Sequence, residues 1–155
     1  MNIIIENRQS DVLLCEDSLR VLLQELMHLE QISTDEISLR LVDQKEAAAL
    51  HKKYFDDPSC TDCMTFPIDS PGSAQSLHCL GEIVICPQTA TQQHLLHNTT
   101  LEEELSLYVI HSFLHLIGFT DKSLKERNDM REREAIYLDH LRKKASLLTI
   151  TKACC

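Results

Sequence analysis

The chain of 155 residues contains no tryptophan and has only 3 glycines and 4 prolines, which indicates few free loops. The sequence pattern shows no linker and no internal repeat. No apolar run approaches the roughly 18 residues that a membrane span requires. The start, MNIIIENRQSD, lacks a basic n-region and a small-residue cleavage site, so we expect no signal peptide and a cytoplasmic location. With 43% hydrophobic and 25% charged residues, we expect one soluble globular domain over residues 1–155.

The seven cysteines lack the pattern of a zinc ribbon or a disulfide framework, because their number is odd and they are scattered. The only CxxC, Cys60 to Cys63, has no second pair at zinc-ribbon spacing. This motif enters a strand instead of opening a helix, which disfavours a thioredoxin-like redox role. Reduced thiols in a cytosolic protein are the better interpretation.

The net charge of −9 is unevenly distributed along the chain. Residues 122–155 carry 9 basic and 5 acidic side chains, or +4, whereas residues 1–121 carry 6 basic and 19 acidic ones, or −13. A solvated amphipathic helix explains the basic segment and is favoured by charge alone. A basic wall that contacts a phosphate-bearing substrate is the alternative.

Hydrophobic periodicity, capping residues and turn residues predict an α+β fold. We expect a single layer of about four short mixed strands, packed against about five helices. The strands are predicted at residues 2–6, 36–42, 63–66 and 81–86. The helices are predicted at residues 17–30, 43–54, 88–97, 101–117 and 123–148. Asp17 or Ser18 is expected to cap the first helix, and Thr100 with Glu103 to form a capping box for the fourth. The last helix is expected to turn four residues inward: Met130, Ala135, Ile136 and Leu141.

The segment HSFLHLIGFTD, residues 111–121, carries the strongest chemical signal in the chain. His111 and His115 are four residues apart, so their imidazoles lie on one face of a helix. Gly118 offers the left-handed cap that ends the helix, after which Asp121 can face both rings. Two imidazoles and one carboxylate with room for water are a ligand set of catalytic zinc sites. The carrier helix is predicted to be buried, because it is apolar almost all round: Leu105, Val109, Ile110, Phe113, Leu114, Leu116 and Ile117.

Spacing alone leaves a second interpretation open, in which these histidines are core residues bonded to backbone carbonyls. Zinc peptidases of the HExxH type are excluded, because the position after His111 is Ser112 and not the required glutamate.

HSFLHLIGFTD resembles the signature HGxLHLxGYDH of the YbeY family of bacterial rRNA maturation factors. TDCMTFP (61–67) resembles that family's TDVLSFP, and LGEIVICP (80–87) resembles its LGDIVIS strand. Met130 and Glu134 fit its last helix. Three ordered motifs at compatible spacing make the resemblance specific, and it extends over nearly the whole chain.

The resemblance implies an α+β layer with one zinc-type metal ion on a buried helix, held by His111, His115 and Asp121. It also implies a single-strand-specific endoribonuclease that acts in 16S rRNA 3′-end maturation, 70S ribosome quality control and ribosome assembly. The expected partners are ribosomal RNA and the small ribosomal subunit. Neither a membrane nor DNA is expected as a partner.

The chain departs from the family pattern at several positions. Asp121 stands where the family has histidine, and it follows Thr120 where the family has aspartate. Phe55 takes the place of an arginine thought to be functional, Cys60 replaces the proline before the TD motif, and Ser112 replaces a glycine. A carboxylate ligand lowers the Lewis acidity of a metal relative to a third imidazole. We therefore expect metal binding to survive and nuclease activity to be weakened.

The favoured hypothesis is metal-assisted phosphodiester cleavage, with Lys122, Lys125 or Arg127 offsetting the charge of the phosphate. A non-catalytic ribosome-associated assembly factor with a structural metal is the main alternative. A zinc hydrolase that acts on amides or esters is a third hypothesis, disfavoured by the missing HExxH glutamate and by the basic C-terminal region.

Overall fold

A single mixed sheet forms the base of the fold in the computed structural model, which describes residues 1–57, 59, 61–74 and 76–151. Its spatial strand order is β1-β2-β4-β3. Strands β1 and β2 pair in parallel, β2 and β4 pair in parallel, and β3 runs antiparallel to β4. The predicted mixed α+β layer is therefore confirmed. The strands span four ranges: β1 Asn2–Asn7, β2 Glu36–Leu41, β3 Cys63–Pro67 and β4 Cys79–Ile85.

The described residues contain five helices, as the sequence predicts. No helix in this part of the chain has both the length and the apolar character needed to cross a bilayer. The helices span five ranges: α1 Glu16–Leu29, α2 Gln44–Phe55, α3 Pro87–Leu96, α4 Leu101–Leu116 and α5 Leu124–Lys143.

Helix α4 is the buried centre of the molecule, because it contacts strands β3 and β4 as well as helices α1, α3 and α5. Each fully buried leucine, isoleucine or phenylalanine stabilises the fold by about 1.5–3 kcal/mol relative to exposure. A side chain carried by α4 is consequently held by the core on several sides. The buried apolar residues of α4 include Leu105, Val109, Ile110, Phe113, Leu114 and Leu116.

Two of the predicted helix starts differ from the structure. The residue that precedes α1 is Cys15, whose side chain makes no capping hydrogen bond, and Asp17 and Ser18 lie inside the helix. At α4 the Thr100 hydroxyl accepts a hydrogen bond from the Glu103 backbone as expected, but the Glu103 carboxylate accepts one from Arg142. The reciprocal capping box occurs at the start of α5 instead.

The predictions for α5 are partly wrong. The helix ends at Lys143 and not at residue 148, and it is followed by Ala145 at φ +53°. Met130 and Leu141 are buried as predicted, whereas Ala135 and Ile136 are exposed. The buried face of α5 instead passes through Tyr137 and the largely buried Glu134, a polar residue that a search for apolar periodicity discards.

Among the described cysteines, Cys63 and Cys79 carry free thiols, in agreement with the reduced interpretation at these positions. The other half of the CxxC motif, Cys60, lies outside the described residues, as do Cys154 and Cys155.

Candidate metal centre

The two histidines of HSFLHLIGFTD lie in the last two turns of α4, and the end of that helix directs the chain back toward them. The Gly118 backbone N–H donates to the His115 carbonyl at 3.1 Å, and the Phe119 N–H donates to the Leu114 carbonyl at 3.0 Å. With Gly118 at φ +110°, this is a Schellman motif, as the sequence predicts. The reversal places Asp121 beside the rings.

The structure brings the three predicted ligands together. The Nε2 atoms of His111 and His115 lie 3.0 Å apart, and the Asp121 Oδ2 lies 3.5 Å from the His115 Nε2. One ligating atom from each residue lies within 4.8 Å of the other two, so this group can hold a metal ion. The Asp121 side chain is half exposed, which leaves the third side of the site open to solvent.

Hydrogen bonds at the other ring nitrogens decide which atoms the histidines present to the site. The His115 Nδ1 lies 2.9 Å from the Phe119 carbonyl oxygen, which only accepts hydrogen bonds, so Nδ1 carries the proton. The His111 Nδ1 lies 2.5 Å from the Glu134 carboxylate, which fixes the same tautomer. Both Nε2 atoms therefore present lone pairs to the site.

Two lone pairs 3.0 Å apart repel each other unless a cation lies between them. A tetrahedral zinc ion with bonds of about 2.0–2.1 Å holds two nitrogens about 3.3 Å apart, close to the observed separation. Histidine ligands that donate their second N–H to a carboxylate or carbonyl are the usual arrangement in metal sites. The donor set thus fits a zinc-type ion with an open coordination position.

A proton is the other cation that this arrangement attracts. Burial lowers the pKa of His111, but the hydrogen bond and negative charge of Glu134, with further charge from Asp62 and Asp121, outweigh that effect and raise it. A raised pKa means that protons compete with a metal ion for His111. Metal binding at this site is therefore expected to release a proton.

A cleft of about 510 Å³ opens over the three ligands. It contains a second carboxylate, Asp62, which accepts a hydrogen bond from the Cys63 backbone N–H at 2.9 Å. The residues described as lining the cleft include no lysine or arginine, so its floor is acidic. The lining residues are His51, Phe55, Thr61, Asp62, Cys63, Met64, Thr65, His111, Ser112, His115 and Asp121.

The Cys63 thiol at the edge of the cleft is not a nucleophile. Burial and the negative charge of Asp62 raise its pKa far above the ordinary value. Because the thiolate is the reactive form of cysteine, this side chain stays inert near neutral pH. Covalent catalysis through a cysteine is thus disfavoured at this site.

The three basic residues predicted to contact phosphate lie beside the cleft and not in its lining. Lys122 and Lys125 are exposed where α5 begins. The Arg127 guanidinium donates to the backbone carbonyls of Asp121 and Lys122 at 3.3 and 3.4 Å. Arg127 therefore braces the loop that carries Asp121, and its predicted contact with phosphate stays a prediction.

Sequence reasoning missed the part that Glu134 plays at the site, as well as the presence of His51 in the cleft. Glu134 was visible only as a position that fits the family's last helix, and its contact with His111 spans 23 positions. Phe55 stands where the family has an arginine, and the structure places its half-exposed ring in the cleft lining.

Comparisons with known proteins identify relatives along nearly the whole chain. Residues 4–142 match the family model described as "Endoribonuclease YbeY". A Chlamydia caviae protein of that name is 39% identical over 153 residues, which are 96% of this chain and 96% of that protein. A Chlamydia pneumoniae protein of the same name is 39% identical over 150 residues, 94% of each chain.

A solved structure shares the fold as well. The solution structure of a Thermotoga maritima protein superimposes with a TM-score of 0.61 at 27% sequence identity, covering 94% of this chain and 95% of that one. The resemblance seen in the three sequence motifs is thereby confirmed over nearly the full length of the chain. This protein therefore belongs to the YbeY endoribonuclease family.

Proposed function

We propose that this chain is a single-domain, metal-dependent endoribonuclease specific for single-stranded RNA, with one zinc ion as its cofactor. The observation that carries the proposal is the pair of Nε2 lone pairs of His111 and His115, fixed by Glu134 and Phe119, at the floor of an open cleft. Family membership supplies the class of reaction. The half-exposed Asp121 completes the ligand set.

In this proposal each residue near the ligands has a separate part. A bound metal supplies Lewis acidity toward a phosphoryl oxygen and makes water a better nucleophile. His111, His115 and Asp121 hold the ion, while Glu134 and the Phe119 carbonyl keep the two rings in the binding tautomer. Lys122, Lys125 and Arg127 offset substrate charge at the rim, since the acidic cleft floor repels phosphate.

The proposed biological role is 16S rRNA 3′-end maturation, ribosome assembly and ribosome quality control in the cytoplasm. Its partners are ribosomal RNA and the small ribosomal subunit. Support comes from the family to which the chain belongs and from an open cleft that a single strand can enter. Mapping 16S rRNA 3′ ends in cells depleted of the protein tests this role, and correctly processed ends would contradict it.

The activity itself is tested by His115→Ala, with His28→Ala as the matched control, because His28 is an exposed histidine on α1 away from the cleft. We expect about one zinc per chain and cleavage of single-stranded RNA in the wild type and in His28→Ala. Both should be lost in His115→Ala. Unchanged metal content and unchanged cleavage in His115→Ala would contradict the proposal.

One observation favours the alternative of a non-catalytic, ribosome-associated assembly factor. The described lining of the cleft has two carboxylates, Asp62 and Asp121, and no lysine or arginine, which is unfavourable for a phosphodiester. In that case metal binding raises the unfolding temperature while RNA stays intact. Metal-dependent stability combined with co-sedimentation on the small subunit and no hydrolysis would establish the alternative.

A further inference from the structure

We propose that the C-terminal end of α2, the segment His51–Phe55 with the sequence HKKYF, binds an unpaired base and its neighbouring phosphates at the mouth of the cleft. Phe55 provides the stacking surface in this site. The inference rests on the proposed function in RNA cleavage, and it names the feature of the substrate that the chain recognises.

Tyr54 and Phe55 are the two aromatic side chains among the large hydrophobic residues that the structure describes as exposed. Their exposed fractions are 54% and 51%. The other exposed large residues in this set have no aromatic ring. Adjacent exposed aromatic rings are a feature of surfaces that bind ligands, because water solvates apolar area poorly.

The exposed rings are held in place by other rings. The Phe55 ring centroid lies 5.3 Å from that of His51 and 6.1 Å from that of Phe66 on β3. Tyr54 meets Phe66 edge to face at 5.0 Å. These contacts leave the Phe55 ring ordered before any ligand binds, so stacking a base on it costs little conformational entropy.

This aromatic cluster is continuous with the candidate metal centre. Phe55 and His51 line the same cleft as His111, His115 and Asp121. A base stacked on Phe55 therefore places the adjoining backbone near the metal ligands. Unpaired bases are available for stacking and paired ones are not, which gives a physical reason for preferring single strands.

Charge favours nucleic acid over a protein as the occupant of this surface. Lys52 and Lys53 are exposed and lie between His51 and Tyr54 in the sequence, and the Lys53 Nζ lies 5.1 Å from the Tyr54 ring centroid. The nearby Asp57 carboxylate accepts a hydrogen bond from the Ser59 backbone N–H at 2.9 Å, and its other oxygen lies 3.9 Å from the His51 Nδ1. Aromatic rings interleaved with lysines suit bases and phosphates together, and the two lysines supply positive charge that the cleft lining lacks.

The absence of tryptophan from the chain allows a direct test. Phe55→Trp introduces the chain's only tryptophan at the proposed stacking surface, and Val21→Trp introduces one at an exposed position on α1 outside the cleft lining. An unstructured RNA oligonucleotide is expected to quench the tryptophan fluorescence of Phe55→Trp and to leave that of Val21→Trp unchanged. The same sequence annealed to its complement should quench neither variant.

Binding measured by anisotropy of a labelled oligonucleotide tests the energetic contribution of the ring. Phe55→Ala and Phe55→Leu are expected to weaken binding by roughly 5- to 150-fold, whereas Phe55→Trp retains it. The logarithm of the binding constant falls linearly with the logarithm of the salt concentration. Replacing Lys52 and Lys53 by alanine should reduce the steepness of this line by about 1.4, or about 0.7 for each phosphate contact. Unchanged circular dichroism and unfolding temperature establish that each variant is folded.

RNA cleavage followed on the same samples separates this inference from the proposed function. If the wild type cleaves RNA and Phe55→Ala binds RNA as tightly as the wild type does, base stacking on Phe55 is contradicted and the proposed nuclease activity is supported. If no metal supports RNA cleavage but Phe55→Ala loses RNA binding, base stacking on Phe55 is supported and the proposed nuclease activity is contradicted. Two other results overturn the proposed stacking of a base on Phe55. One is equal affinity of the wild type for single strands and duplexes, and the other is quenching of the Phe55→Trp fluorescence by a protein partner in place of RNA.

Discussion

Glu134 on α5 accepts a hydrogen bond from the His111 Nδ1 on α4 at 2.5 Å, and thereby sets which nitrogen of that ring faces the cleft. The Glu134 side chain is largely buried, with 13% of its surface exposed, so water screens the contact weakly. This link between two helices makes the candidate metal centre depend on the packing of α5 as well as on the local geometry of α4.

Removing the Glu134 carboxylate is expected to weaken metal binding without removing a ligand. Glu134→Ala should lower zinc affinity by about 10- to 100-fold, because partners of ligating histidines contribute that much. Glu134→Gln should lose less, since its amide oxygen still accepts from Nδ1. Competition titrations with a zinc chelator measure the affinity, and the exposed Glu132 on the same helix gives the control Glu132→Ala.

A second readout distinguishes positioning from a general effect on folding. Long-range ¹⁵N NMR of the metal-free protein reports the imidazole tautomer, and His111 is expected to shift from the Nδ1–H form toward the Nε2–H form in Glu134→Ala. An unaltered tautomer in that variant would show that Glu134 does not orient the ring.

The stability of the metal-free protein should depend on pH through the same pair. The pKa of His111 is raised in the folded state, so its contribution to stability is complete below the ordinary value of about 6.5 and disappears as pH rises through the folded pKa. Urea unfolding across this range should therefore show a decline in the wild type that is reduced in Glu134→Gln.

Zinc affinity should change with pH in the opposite direction, because the proton on His111 leaves as pH rises through the same pKa. The difference between the wild type and Glu134→Gln isolates the contribution of this pair, because all other residues are the same in both proteins. Identical pH profiles of stability and affinity in the two proteins would contradict the assignment to His111.

The sequence predicts the parts of the candidate site whose residues lie close together in the chain, and it misses the contact between distant residues. His111, His115, Gly118 and Asp121 lie within 11 consecutive residues, so helical spacing and one cap suffice to bring them together. The contact of Glu134 with His111 depends on how α5 packs on α4, and that packing is not encoded in either helix alone.

The fold shows the same division between local and distant contacts. Alternating apolar residues predict the strands, yet the position of β4 between β2 and β3 depends on long-range pairing. Apolar character predicts that Ala135 and Ile136 face inward, but α5 buries Tyr137 and turns Glu134 toward the site. The contact of Glu134 with His111 at the candidate metal centre is thus invisible in the hydrophobic pattern of that helix.

Asp121 is expected to tune the chemistry of the centre as well as to bind metal. Asp121→Ala should lower zinc affinity by more than about tenfold, since loss of a ligand costs more than loss of a ligand's partner. Asp121→His should retain the metal and raise the cleavage rate near neutral pH, because a neutral ligand leaves the ion more acidic. Metal content and the pH–rate profile test both, and a rate that falls in Asp121→His would contradict this account.

Gly81 couples the sheet to the helix that carries the histidines. A Cβ at this position would lie 2.5 Å from both the Leu116 Cδ2 and the Phe66 carbonyl oxygen, and the backbone has φ +145°. Overpacking and backbone strain together should destabilise Gly81→Ala by about 2–5 kcal/mol. Gly72 is the matched control, because its φ is +76° but no atom lies within 4 Å of an added Cβ, so Gly72→Ala should cost about 1–2 kcal/mol.

Gly81→Ala should also weaken metal binding, because Leu116 directly follows His115 at the end of α4. Relief of the contact with Leu116 moves the last turn of the helix and separates the two Nε2 atoms. We therefore expect Gly81→Ala to lose zinc affinity under conditions in which it remains folded, and Gly72→Ala to keep it. Denaturant unfolding and zinc titration on both variants test this, and a destabilised Gly81→Ala with wild-type zinc affinity would show that the sheet does not position the site.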